Sequence, residues 1–314
     1  MNRTLVIRGG AIGDFILTLP AIKALRESFP NAKIDILGYK HIAALAENRF
    51  YAERVRSIES AELARFFAKN SELPAELATY FSGFDLIVSY LYDPDSIFED
   101  NLRRSAAGKI LRGPAKIENG SHAVMQLAQP IRELGLPIRD CSPKIYPSDE
   151  DRHRGEKFLS GMAQPIVAFH PGSGSEKKNW PLQNWIALGE HFLANSTGSL
   201  LIVSGEADRA QIARLKSIWD KPRVRFVTDL PLTDLAAVLE HKIFVGHDSG
   251  ISHLAAATGA NCILLFGPSD PEVWAPRNEN ARVIRAVEGD PRRLDVDLVR
   301  AGLDQELMRI GIRT

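Results

Sequence analysis

Short apolar runs alternate with amphipathic stretches along most of the chain, and that alternation predicts strands and helices in turn. "TLVIR" (4 to 8) reads as a strand, after which Phe15, Leu19, Ile22 and Phe29 recur at three-, four- or seven-residue steps on one helical face. "KIDILG", "VRSI" and "FDLIVSY" are further strands, separated by helix-like segments such as "HAVMQLAQPIRELG". Between residues 135 and 165 the pattern breaks at Pro137, Pro143, Pro147 and Pro165 and at the charged run "SDEDRHRGEK", so a domain boundary is expected there. It then restarts: "IVAFH", helix "LQNWIALGEHFLAN", "SLLIVSG", helix "ADRAQIARLKSIW", "VRFVT", helix "LTDLAAVLEHK", "IFVG", helix "SGISHLAAAT" and "CILLFG". A last amphipathic helix, "DVDLVRAGLDQELMRIG", places Val296, Val299, Leu303 and Leu307 on one side, free to pack on its own domain or back on the first. Repeated strand and helix is the pattern of a parallel sheet covered on both faces. Two such units, 1–150 and 151–314, imply a cleft between facing sheet edges.

Composition removes several classes of function. The 314 residues carry 39 basic and 39 acidic side chains, so no global field attracts nucleic acid or an anionic membrane. Cys141 and Cys262 are each isolated from His or a second Cys at metal-ligand spacing, and neither a disulfide framework nor a zinc site is expected. The start of the chain lacks a signal-peptide core, and nowhere do about 18 apolar residues run together as a spanning helix requires. A cytoplasmic protein is expected.

Three loops placed between strand and helix carry the chemistry. "GGAIGD" (9 to 14) fails the G-x-G-x-x-G spacing of dinucleotide folds, and "HPGSGSEKKNWP" (170 to 181) fails both that pattern and the P-loop. Each nevertheless can bring backbone N–H groups up to a ligand. In "GHDSGISHLAAATG" (246 to 259) Ser249 and Gly250 open a helix, a place where phosphate settles on exposed N–H groups. His253 lies four residues beyond Ser249 on the same face, although a lone histidine on an apolar helix is as readily a core residue. The "DPD" at 93 to 95 resembles a manganese-binding D-x-D, but Asp pairs in loops are mostly turn formers, and no metal is expected. Arg103, Arg104, Lys109 and Arg112 form a basic run that reads either as a solvated face or as a contact for an acidic acceptor. Trp274 reads as core.

Four ordered blocks, "GAIGDFILTLPAIKALRESFPNAKIDILG", "HPGSGSEKKNWPLQNW", "VSGEAD" and "GHDSGISHLAAATGANCILLFGPSDPEVWAP", resemble the bacterial heptosyltransferases, glycosyltransferase family nine, from residue 4 to about residue 276. The resemblance implies an α/β GT-B architecture, two Rossmann-like doubly wound domains facing a central cleft, with acceptor bound by the first and nucleotide-sugar by the second. It implies an inverting glycosyl transfer that needs neither metal nor cofactor, typically of heptose from ADP-heptose to the core of lipopolysaccharide. Asp14 matches the family's G-D acid and would take the acceptor proton; its ordinary alternative is an N-cap. Lys178 matches the lysine that holds the leaving diphosphate, its neighbour Lys177 being the solvated alternative. Ser173 and Ser175 would add donors, or simply shape the turn. Asp248 matches an acid that binds sugar hydroxyls, and Glu206 one that binds the ribose; each has helix capping as its ordinary role. Gly13, Arg103 and Arg104 are the candidates on the acceptor side, and the loop from 92 to 120 has no residue that can be matched. A lipid-linked acceptor implies transient contact with the inner face of the cytoplasmic membrane. The alternatives are a nucleotide-sugar epimerase of the same architecture and an inactive nucleotide-sugar-binding protein, which needs no acid on the attacking side.

Overall fold

The computed structural model describes residues 1–106, 108–205 and 209–311. The chain divides into two units, Met1–Cys141 and Ser142–Thr314, each built around its own parallel sheet. In the first, β1 (Arg3–Arg8), β2 (Lys33–Gly38), β3 (Arg54–Ser57), β4 (Leu86–Ser89) and β5 (Lys109–Arg112) lie in the order β3-β2-β1-β4-β5. In the second, β6 (Ile166–His170), β7 (Ser199–Val203), β8 (Val224–Val227), β9 (Ile243–His247), β10 (Asn261–Phe266) and β11 (Ala281–Arg285) lie in the order β11-β10-β9-β6-β7-β8. Both sheets therefore run outward from a central strand, return, and run outward on its other side. The reversal falls between β1 and β4 and between β6 and β9, where open parallel sheets hold ligands at their carboxyl ends.

Burial follows position in the sheet. All residues of β4, β6, β7 and β9 are buried, as expected of strands covered on both faces. The edge strands β5 and β11 are only half covered and expose Lys109, Arg112, Arg282 and Arg285, charges that protect an open edge from pairing with another chain. The basic run of the first unit thus includes an edge strand. The helix Ile12–Ser28 is covered more fully than its one-sided pattern predicts. Every residue from Phe15 to Ile22 is buried, so at least two turns of it are enclosed.

Two stretches depart from the sequence expectation. The segment around Ala128 forms two short helices, Ala123–Leu127 and Gln129–Glu133, because Pro130 fits the first turn of a new helix but not the interior of an old one. The charged run at 148–157 is a helix, Asp149–Leu159, started by a reciprocal cap in which Asp151 N–H donates to Ser148 Oγ and Ser148 N–H to Asp151 Oδ2. It packs by its narrow face, Gly155, on Ala237 of the helix Leu232–Leu239, and Arg152 and Arg154 reach Glu240 and Asp234. Residues just before 150 are tied to the second unit, since Ile145 N–H donates to the Ala257 carbonyl and Asn278 Nδ2 to that of Pro143. The final helix, Val296–Arg309, adds Val299, Leu303 and Leu307 to the second unit's core of Trp180, Trp185, Phe192 and Trp219.

Candidate functional site

The first site forms where the loop after β1 meets the loop after β4. Gly10 there adopts φ +97°, and a Cβ on it would stand 2.8 Å from Asp14 Oδ2, so glycine is required for the chain to turn so close to that carboxylate. Asp14 is not the N-cap: Ala11 holds that position, and Asp14, in the first turn of the helix, reaches back to accept from Ala11 N–H at 3.0 Å. Its other oxygen, Oδ1, lies 3.3 Å from Arg8 Nη2. Arg8 is the last residue of β1 and is almost wholly buried, with its guanidinium over the Tyr90 ring. Burial lowers the Arg8 guanidinium from its ordinary value, and the charge of Asp14 opposes that loss. The two partners fix the carboxylate's orientation at a cavity of about 430 Å³, which Tyr90 also lines. Tyr90 itself is held by a hydrogen bond from its hydroxyl to the Leu127 carbonyl, and burial pushes its phenol well above the ordinary value. Sequence reasoning misses Arg8, because "TLVIR" reads only as a strand.

The second site forms in the corresponding place, between the loops that follow β6 and β9. Lys178 closes a single 3-10 turn, Glu176–Lys178, and its ammonium lies 2.5 Å from Asp248 Oδ2. Lys177 is exposed and lines a separate cavity of about 540 Å³ with Glu176 and Arg292. Ser173 Oγ bonds within its own loop, to the Ser175 carbonyl and to Asn179 Oδ1, and accepts from Ser175 N–H. The loop is anchored from below by His247, the last residue of β9. Its Nε2 accepts from Trp180 N–H at 2.7 Å and its Nδ1 donates to the Gly172 carbonyl at 3.2 Å. Only a neutral imidazole protonated on Nδ1 satisfies both, and burial accordingly pushes His247 down to about 3. Sequence reasoning misses His247 as well; its one signal is a histidine that ends an apolar strand two residues before a helix start.

Ser249 is the N-cap of the helix Gly250–Ala257, accepting from Ser252 N–H, so capping falls to it and not to Asp248. As in any first turn, the N–H groups of Gly250 and Ile251 have no acceptor within the helix. His253 is buried, as are Ile251, Leu254 and Ala257 around it in the helix. Asp248 is itself nearly buried, so Lys178, Asp248 and the helix start at Ser249 and Gly250 form one cluster with alternating charge. Glu206 lies outside the described residues; Ser204 and Gly205 before it line a recess of about 170 Å³ with Thr228 and Asp229.

The remaining candidates, except Gly13 next to Asp14, lie apart. Gly13 is the second residue of the helix Ile12–Ser28. Arg103 is paired with Glu99, and Arg104 donates to the Ser71 carbonyl and to Asn101 Oδ1; neither lines the cavity beside Asp14. Asp93 accepts from the N–H groups of Phe98 and Glu99 and so starts the helix Ile97–Arg103. Trp274, expected in the core, ends a four-residue helix half-buried; its neighbour Val273 takes the core position.

Known proteins resemble this chain in sequence and in fold. Residues 104–296 match glycosyltransferase family 9 (heptosyltransferase). The chain is 26% identical over 304 residues to lipopolysaccharide heptosyltransferase 3 of Escherichia coli, covering 90% of this chain and 88% of that protein. Its fold is that of the E. coli ADP-heptose LPS heptosyltransferase II, with a TM-score of 0.81 at 17% identity and 99% of each chain covered. An E. coli heptosyltransferase solved with ADP superposes with a TM-score of 0.75 at 20% identity, covering 96% of this chain and 99% of that one. Among the described residues no helix is long and apolar enough to cross a membrane. With the family match spanning more than half its length, the chain belongs to glycosyltransferase family 9, the heptosyltransferases, and is a glycosyltransferase.

Proposed function

We propose that the chain moves heptose, with inversion and without a metal, from ADP-heptose to the lipopolysaccharide core or a related glycan. In this reading the two units are the Rossmann-like halves of a GT-B enzyme, the first taking the acceptor and the second the donor. The observation that carries it is the cluster in which the Lys178 ammonium rests on Asp248 beside the helix start at Ser249.

Asp14 accepts the proton of the acceptor hydroxyl while that oxygen bonds to the anomeric carbon. The bond from that carbon to the diphosphate oxygen breaks, and its electron pair leaves with ADP. Lys178 and the first N–H groups of the helix at Gly250 meet the growing negative charge, which fixed donors in a dry site stabilise far better than water does. Donor binding shifts Lys178 toward phosphate and frees Asp248 to accept from a sugar hydroxyl. His253, Ser173 and Ser175 stand as supports of that phosphate site, Glu206 as the ribose acid, and Gly13, Arg103 and Arg104 on the acceptor side. If the acceptor is lipid-linked, the enzyme works at the inner face of the cytoplasmic membrane.

The test incubates the protein with ADP-heptose and truncated core acceptors in excess chelator, with product linkage read by NMR. Transfer proceeds, and Asp14→Ala lowers kcat by about 10²–10⁴-fold while calorimetric binding of ADP-heptose persists. Normal turnover by that variant, a requirement for added manganese, or an epimerised donor in the absence of acceptor would each overturn the reading.

A further inference from the structure

The cavity beside Asp14 has walls that the mechanism does not use. Four large apolar side chains stand out as exposed in the first unit among the described residues: Met1, Phe50, Phe67 and Tyr92. Two of them, Phe67 and Tyr92, line this one cavity, together with Tyr39 and the buried Tyr90. Tyr92 is 63% exposed and Phe67 45%. Phe67 is steadied by Phe98, at 4.8 Å between centroids, and Tyr92 by Lys116, whose ammonium lies 4.6 Å from the ring centroid. Aromatic surface left in water at the rim of a ligand-sized cavity marks a place where something apolar is received.

Charge narrows what that is. Among the described residues the cavity's only lining cation is Arg8, which is buried and already engaged with Asp14, while Asp14 and Glu59 bring two carboxylates to the same walls. Lys116 stands over the Tyr92 ring and does not line the cavity. A carboxylate or phosphate placed here would meet like charge and no accessible cation in the walls. A neutral pyranose offers the opposite match. Its C–H face, slightly positive, lies against the negative faces of aromatic rings, and its hydroxyls donate to the carboxylates.

We infer that the cavity walled by Tyr92, Phe67 and Tyr39 holds the acceptor's attacking residue, and that this residue is an uncharged sugar, not an acidic or phosphorylated one. The inference rests on the reading of Asp14 as the base, and Tyr92 then determines specificity without touching the reacting atoms.

The experiment uses the full chain with ADP-heptose and two sets of oligosaccharides, one ending in a neutral heptose or hexose and the other in a carboxylate-bearing or phosphorylated sugar. Neutral acceptors are used with a kcat/KM at least about tenfold higher. Tyr92→Ala raises the acceptor KM by about three- to tenfold, the size of one aromatic contact, and leaves the donor KM unchanged, while Tyr92→Phe restores it. Phe67→Ala acts in the same direction. Because Tyr92 lies on the surface, its truncation does not disturb the core; thermal melting of the variant checks this. Preference for the acidic acceptors, or an acceptor KM untouched by Tyr92→Ala, overturns the inference and leaves the transfer reading standing. If neither set is turned over, the transfer reading falls, and saturation-transfer NMR decides the cavity separately: neutral glycan bound by the native chain and lost in Tyr92→Ala upholds it, and equal signals sink it.

Discussion

The two units use one sheet order and place their sites at the same point in it, yet they present opposite charges. In the first, the cation is hidden and the acid shown: the Arg8 side chain is 4% exposed and that of Asp14 34%. In the second, the acid is hidden and the cation shown, with Asp248 at 9% and Lys178 at 32%. Each presented group is thus held by a buried partner of opposite sign. A long, mobile lysine and a short carboxylate both lose freedom in this way, and catalytic positioning depends on such restraint. The scaffold therefore supplies the place, and the buried partner supplies the sign. A group-transfer reaction needs both signs, an acid's conjugate base for the incoming nucleophile and a cation for the departing diphosphate.

Removing the presented cation should separate the two sites most strongly. Lys178→Ala is expected to lower kcat by about 10²–10³-fold, the cost of losing one donor to a developing anion, with Lys177→Ala near the native rate. Steady-state kinetics on both variants measures it. Equal losses would mean that the loop's two lysines share the task and that the Lys178–Asp248 pair is only a surface contact. On the other side, Arg8 is expected to act as a positioning residue for Asp14, with which it pairs. Arg8→Lys is expected to reduce kcat by about tenfold and Arg8→Ala by more, while donor KM stays constant, because only the orientation of Asp14 changes. A donor KM that rises in step with the loss would show that Arg8 serves binding and not the carboxylate.

Much of the fold is legible because buried parallel strands write themselves as continuous apolar runs: "IVAFH", "SLLIV" and "CILLF" lie within β6, β7 and β10. The edge strands β5 and β11 do not read as strands, since Lys109, Arg112, Arg282 and Arg285 interrupt any apolar run. The helix Asp149–Leu159 reads as a linker because it packs through Gly155 and salt bridges, with hardly an apolar side chain on its buried face. Ser249 can be named from a loop that follows a strand, and Asp14, Lys178 and Asp248 only through the family resemblance. Their partnerships cannot. Arg8 and Asp14 are six residues apart but meet only because of the turn at Gly10, and Lys178 and Asp248 are seventy residues apart in sequence. The cavity of Tyr39, Phe67 and Tyr92 draws on the loops after β2 and β4 and on the end of the 3-10 helix Ala61–Phe67, and no local pattern announces it.

A smaller effect tests how the second site's loop is held. His247 must be neutral to accept from Trp180 N–H, and its folded value of about 3 lies far below the ordinary 6.5. Between those two values the unfolded chain binds a proton that the folded one refuses, so stability rises with pH across that window and falls on acidification. The contribution is complete above about pH 6.5 and drains by at most about 1.4 kcal/mol per unit below it. Going from about pH 7 to about pH 5.5 is therefore expected to lower the melting temperature by about 2–4 °C on this account. His247→Gln, which keeps an acceptor and a donor but does not titrate, lowers stability at neutral pH and flattens that slope. Calorimetric melts of both proteins at the two pH values measure it. An unchanged slope in the variant would mean that the anchor beneath Lys178 does not depend on the charge state of this imidazole, and that the loop is held by the Trp180 ring and its bond to the Leu294 carbonyl.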